Sequence, residues 1–291
     1  MVQAIKLNDL KNRKRKNVEE ENGSDESEID ISSTDSENEE EQNGEEEIVN
    51  IDFDFFGGNP EVDFHALKNL LRQLFGPQES TRIQLSSLAD LILGSPTTTI
   101  KTDGKESDPY CFLSFVDFKA NHLSDYVKYL QKVDMRLSTF FKTMIDSGNK
   151  NCALVLSERL INMPPEVVPP LYKITLEDVA TALGDDKHYD FYIIVTRKYE
   201  VNFDTDDDTD SGKRNKNKDE RSKKRVKADE VDYFHEEDRF FEKYAKIHFE
   251  SEAKKGVISS YMILDHEGLV KSIDELETEI STWLEHHHHH H

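Results

Sequence analysis

The sequence has no apolar run that approaches the ~18 residues a membrane-spanning helix needs, and its opening MVQAIKLNDLKNRKRK holds no stretch apolar enough for a secretory signal. Cysteine is nearly absent. Cys111 and Cys152 are the only two, each inside a strand-like apolar run, so they read as reduced core thiols of a nuclear or cytosolic protein, with a disulfide as the lesser alternative. Phosphate-cradling glycine motifs are missing: there is no G-x-G-x-x-G after a strand and no Walker A sequence. Gly57-Gly58 is the only glycine pair, and with Asn59-Pro60 behind it the pair reads as a turn. The Arg/Gln-x-x-Gly-x-Gly/Ala turn by which acetyl-CoA-binding folds hold a pyrophosphate is missing too.

Catalytic and metal-binding patterns are equally sparse. Ser157-Glu158-Arg159 follows a strand but lacks the G-x-S-x-G elbow that would expose a serine nucleophile. Glu158 and Arg159 therefore read as a structural ion pair or as sheet-edge charges. Leu284-Glu285 and the six histidines after them (284–291) read as vector residues and a tag, which places the expected native end at Trp283. The other histidines, His65, His122, His188, His235, His248 and His266, are scattered singly. His235-Glu236-Glu237-Asp238 is expected to be a solvated acidic helix start, because nothing but more carboxylate stands at ligand spacing. No cofactor is expected.

What the chain has in quantity is acid. Its net charge is −23, with 33% charged and only 35% hydrophobic residues, a balance that leaves long parts unable to join a core. Residues 1–16 carry +5, whereas residues 17–54 carry −17 with no base. Residues 55–203 are near balance at −3, 204–228 carry +2 as an acidic half followed by a basic half, and 229–285 carry −10. Such a field repels nucleic acid and draws in basic proteins, faster at low salt. Residues 1–48 are expected to be a disordered tail, and 204–228 a disordered loop within one domain spanning 49–283.

Periodicity within that domain switches between strand and helix. Residues 47–56 alternate as a half-buried strand, and Phe64, Leu67, Leu71 and Leu74 lie on one face of a helix between Asn59-Pro60 and Gly76-Pro77. A short helix is expected at 84–93, then a loop of glycine, proline and threonine. Cys111–Val116 follows as a strand, 122–147 as one long helix, and Cys152–Leu156 as another strand. Met163-Pro164-Pro165 and Pro169-Pro170 bracket a non-helical passage, and a helix at 175–183 ends at Gly184. Strands are expected at 189–203 and Ser259–Leu264; 240–251 fits strand or helix, with strand favoured, and a last helix is expected at 267–284 with Leu269, Ile273, Leu276, Ile280 and Trp283 on one stripe. The fold class is α/β (α+β), with a mostly antiparallel central sheet flanked by helices in two or three layers.

Two basic clusters interrupt the acid. Lys11, Arg13, Lys14, Arg15 and Lys16 form one; Lys213-Arg214 and Lys223-Lys224-Arg225 form a bipartite second. Both fit nuclear-import signals, and neutralisation of the neighbouring acid is the competing reading. No aromatic residue interleaves with them, so direct nucleic-acid binding is not expected. Ser27, Ser32, Thr34 and Ser36 each have acid three residues on, as does Thr205, a pattern an acid-directed kinase would use and one that such a composition also generates by chance.

Three stretches carry a resemblance: Ile51-Asp52-Phe53-Asp54-Phe55-Phe56, Asp63-Phe64-His65-Ala66-Leu67-Lys68-Asn69-Leu70-Leu71-Arg72-Gln73-Leu74-Phe75, and Leu156-Ser157-Glu158-Arg159-Leu160-Ile161-Asn162-Met163-Pro164-Pro165. Together with the acidic tail and the charged insert, they make the chain resemble the BCCIP family over about 49–283. The resemblance implies a fold similar to the GNAT acetyltransferases without an acetyl-CoA site. It also implies a nuclear adaptor that guards a basic ribosomal protein of the large subunit. The partners implied are that client and a nuclear import receptor, with no membrane, and the chain acting as a monomer in the nucleus, with or without shuttling to the cytoplasm. The residues expected to supply charge to the client are Asp206, Asp207, Asp208, the 35–47 acid run, and Asp274, Glu275, Glu277 and Glu279 of the last helix, with an apolar groove for specificity. The alternatives are a nuclear export or histone-type adaptor and, more remotely, a GNAT-like acyltransferase.

Overall fold

The computed structural model describes Arg15 and residues 52–184, 186–201 and 230–288. Seven α-helices flank one eight-stranded sheet in the described residues. The strands are β1 (Asp54–Gly57), β2 (Thr97–Lys101), β3 (Cys111–Asp117), β4 (Cys152–Arg159), β5 (Phe191–Glu200), β6 (Val231–Tyr233), β7 (Ile247–Glu250) and β8 (Val257–Asp265). The helices are α1 (Phe64–Ser80), α2 (Leu85–Leu93), α3 (Asp125–Val133), α4 (Met135–Asp146), α5 (Val168–Leu183), α6 (Glu237–Tyr244) and α7 (His266–His288). Sheet order is β1-β2-β3-β4-β5-β8-β7, with β6 added to β5. Every pairing is antiparallel except β4 with β5.

The central strands read as unbroken apolar runs because both faces of the sheet are covered. Along β3 to β5, Phe112, Val116, Leu154, Leu156, Ile193 and Val195 pack under α1 to α4 with Leu67, Leu71, Leu88, Phe118, Leu130 and Phe141. The alternate residues Leu113, Phe115, Val155, Tyr192 and Ile194 pack under α5 to α7 with Leu171, Tyr172, Phe241, Leu269, Ile273 and Leu276. The result is a three-layer domain. Cys111 and Cys152 are both buried and unpaired, on opposite faces of the sheet.

Several element boundaries differ from the sequence expectation, each for a local reason. The expected loop near 95–101 contains β2, TTTIK, buried at every position. Threonine is a strand former, and here Thr97 Oγ1 donates to the Ile92 carbonyl at 2.6 Å while Thr99 Oγ1 donates to that of Phe56 at 3.3 Å. The long helix of 122–147 is two helices, because Asp134 adopts extended φ −158° and ψ 142° and caps α4 by accepting from the Arg136 N–H at 2.8 Å. Pro169 and Pro170 open α5 instead of ending a loop, since a proline in the first turn forfeits no intrahelical bond. The segment 240–251, open to strand or helix with strand favoured, holds both: the second half of α6 followed by β7. α1 runs past Gly76, which breaks it with φ +79° before Pro77 restarts the turn. The first strand is short, Asp54–Gly57, and β6 was not foreseen.

Candidate functional site

The parallel pair β4 and β5 is where the sheet opens. The two strands pair only from Cys152 with Phe191 to Val155 with Ile194, and then diverge. β4 continues alone against β3 as far as Arg159. β5 continues against β8, and on its other edge, at Lys198 to Glu200, it is joined by β6. The segment from β6 through α6 thus occupies the wedge between the diverging strands.

Charge fills that wedge. Arg159, 5% exposed, donates to Glu237 at the start of α6, and His235 is hydrogen-bonded to Glu158, which is 1% exposed. Arg197 lies 3.4 Å from the same Glu158, and its guanidinium stacks 3.9 Å above the Phe234 ring. Thr196 donates to Asp238, itself 3% exposed. Burial, helped by the charge of Glu237, pushes the Asp238 carboxyl up to about 7. Burial works against the imidazolium of His235, yet the hydrogen bond to Glu158 and the charge of Glu237 raise its pKa above the usual value. Glu237 is driven the other way: burial opposes its charge, but Arg159 and His235 hold its carboxyl below the usual range. Glu158 and Glu237 thus face Arg159, Arg197 and His235 with little access to bulk water, which is how buried charge becomes tolerable.

This corrects two expectations. His235, Glu237 and Asp238 are not a solvated helix start, because Phe234, Phe240 and Phe241 around them pull the segment into the wedge. Glu158 and Arg159 do form ion pairs, but with side chains about eighty positions away rather than at a sheet edge. The aromatic spacing in Phe234-His235 and Phe240-Phe241 was the signal available in the sequence. The space left inside the wedge is about 20 Å³, bounded by Leu74, Ser157, Glu158, Thr196 and His235 among others. That admits a single water. Ser157 donates its hydroxyl to the Phe112 carbonyl at 2.8 Å and has no base beside it in this network.

The wedge network ties α6 to β4 and β5, and α6 in turn packs on α7, which carries acids expected to meet a client. Glu275 holds Lys243 at 3.1 Å and accepts from the Tyr244 hydroxyl; Glu279 holds Arg239 at 2.5 Å; Glu277 holds Lys173 of α5 at 2.5 Å. These three carboxylates already have partners on their own chain. Asp274 is exposed and lies on the wall of a groove between α5 and α7. Arg15 alone of the import-signal residues is described, and its guanidinium pairs with Asp178 of α5. Lys11, Arg13, Lys14, Lys16, Lys213, Arg214, Lys223, Lys224 and Arg225 lie outside the described residues, as do Ser27, Ser32, Thr34, Ser36, Thr205, Asp206, Asp207, Asp208 and the 35–47 acid run. Among the described residues, Glu242, His248 and Glu250 are grouped closely enough to ligate a metal. The ammonium of Lys198 bonds both carboxylates, at 2.5 Å from Glu250, so the cluster already has its cation.

Comparison with known proteins gives a consistent picture. The family model described as BCCIP matches residues 48–241. Protein BCP1 of Candida glabrata is 66% identical over 284 residues, covering 97% of this chain and all of that protein. Protein bcp1 of Schizosaccharomyces pombe is 36% identical over 213 residues, covering 68% of this chain and 73% of that protein. A solved structure described as the crystal structure of BCP1 from Saccharomyces cerevisiae superposes with a TM-score of 0.69 at 89% identity, covering 87% of this chain and 99% of that one.

Proposed function

This chain belongs to the BCCIP family, and from that premise we propose that it is a non-enzymatic nuclear chaperone or escort. Its client is a strongly basic protein, a ribosomal protein of the large subunit, which it shields before ribosome assembly and accompanies into the nucleus. The observation that carries this reading is the placement of charge. Residues 17–54 hold −17 and residues 229–285 hold −10, while the body between them is near balance. A ribosomal protein outside the ribosome exposes lysines and arginines that would otherwise contact RNA, and an acidic partner covers them and screens out wrong contacts.

The acyltransferase reading has the wedge against it. A nucleotide-bearing cofactor entering between β4 and β5 would need to displace α6 and leave Arg159 and Glu158 buried without their partners. Titration with millimolar acetyl-CoA in a calorimeter is expected to give no heat of binding; saturable heat would revive catalysis.

The direct test is capture from nuclear extract at moderate and high salt, using the full chain and a version lacking residues 1–48, with bound proteins identified by mass spectrometry. One basic ribosomal protein held in high salt by both versions is the expected result. Many basic proteins held only in low salt, and only by the full chain, would reduce the activity to that of a general polyanion.

A further inference from the structure

We propose that the groove between α5 and α7 is the seat of the client and that it takes a lysine- and arginine-rich amphipathic helix. The inference rests on the chaperone reading and names the surface and the chemistry that reading leaves open. The groove encloses about 450 Å³. Its floor is apolar, with Leu176 and Ala180 from α5 facing Val270 and Ile273 from α7. Val270 is 36% exposed, and the small Ala180 side chain leaves a trough between the helices. A helix with apolar residues at i, i+3, i+4 and i+7 fits such a floor and turns its polar side toward the rims.

The rims select the sign of that polar side. Glu177, Asp186 and Asp274 are exposed along them. Of the two rim lysines, Lys173 is neutralised by Glu277 at 2.5 Å, which leaves Lys187. Asp178, Glu267, Glu275, Glu277 and Glu279 beside the groove pair with cations of their own chain, so the rim charge facing the trough is that of Glu177, Asp186 and Asp274 against Lys187. One end is closed by His188 and His266, stacked at 3.6 Å and 6°, with His266 Nδ1 held 2.8 Å from the Tyr192 hydroxyl. A second large groove on the described surface, about 620 Å³ beside α1 and α2, is lined by Lys68 and Arg72 with serine and threonine. It has the wrong sign for a basic client. Of these two grooves on the described surface, the one between α5 and α7 joins an apolar floor to an acidic rim.

The probe is a fluorescein-labelled leucine–lysine peptide of about 18 residues with helical apolar spacing, and beside it a scrambled peptide of the same composition. Binding to the full chain is followed by anisotropy. Two variants, checked for native circular dichroism and melting, separate groove from field. Ala180→Arg fills the trough, and Val270→Asp removes apolar floor while adding negative charge. The groove predicts that both weaken the amphipathic peptide by about tenfold or more and that the scrambled peptide binds poorly to every version. A bare polyanion predicts the opposite for Val270→Asp, which would then bind more tightly; that result, or equal binding of the scrambled peptide, overturns the proposal. The same variants in the nuclear-extract capture keep the two readings apart. If the wild-type chain and both variants hold one basic protein equally in high salt, the groove is wrong and the chaperone reading stands. If the wild-type chain holds none, the chaperone reading falls and the groove loses its client.

Discussion

Five buried ionisable side chains, Glu158, Arg159, His235, Glu237 and Asp238, share one wedge of the sheet with the half-buried Arg197, and their worth is best judged by breaking one pair. An intact buried ion pair contributes little net stability, because desolvation offsets most of the attraction, whereas removing one partner strands a charge. Arg159→Met is therefore expected to cost about 3–5 kcal/mol by leaving the buried Glu237 without its hydrogen-bonded partner, and adding Glu237→Leu should restore much of the loss, read from urea midpoints at constant slope. Asp238 gives the same network a pH dependence. Its carboxyl is raised from 3.8 to about 7, so the folded state holds a proton that the unfolded state has released. Its stabilising contribution is complete below about pH 4 and is lost as pH rises through 7. His235, also raised, acts with the same sign over a higher window. Relative to Asp238→Asn, the wild-type chain should lose stability from pH 5 to pH 7 at a slope approaching 1.4 kcal/mol per pH unit, about one proton's linkage. A flat difference across that range would mean Asp238 is ionised throughout.

Among the elements, those whose signal is local were legible in the sequence and those fixed by distant neighbours were not. β3, β4 and β5 announced themselves as apolar runs, and α7 by its stripe from Leu269 to Ile280. β2 was missed because its threonines satisfy their hydroxyls on the Ile92 and Phe56 carbonyls, partners no window around 97–101 contains in full. The wedge was missed for the same reason at longer range, since Glu158 and His235 are 77 positions apart. The acids of α7 were legible as a charged face, but their engagement by Lys173, Arg239 and Lys243 depends on how α5 and α6 pack. The division between α3 and α4 was local in cause and still overlooked: Asp134 is both the break and the cap. Asp134→Ala should cost about 1 kcal/mol, the usual value of an N-cap. The loss should appear as earlier amide exchange in the first turn of α4 with little change in β4. Equal loss of protection in both would mean that α4 opens only with the whole domain.

At the scale of the whole molecule, the proposed chaperone role assigns approach and grip to different parts of the charge distribution. Removing residues 1–48 takes away −10 and leaves −13, most of it in the C-terminal part that includes the acids of α7. A long-range field governs how often a basic client arrives, and contacts within the bound state govern how long it stays. At low ionic strength the truncated chain should therefore associate with the proposed basic client about tenfold or more slowly than the full chain, while the dissociation rate stays the same. Raising the salt should bring the two association rates together as the Debye length falls from about 10 Å at 0.1 M toward 3 Å at 1 M. Surface-bound kinetics at two salt concentrations give both rates in one experiment. If truncation instead speeds dissociation and leaves association unchanged, the acidic tail is part of the grip, and the division between an attracting tail and a holding domain has to be abandoned.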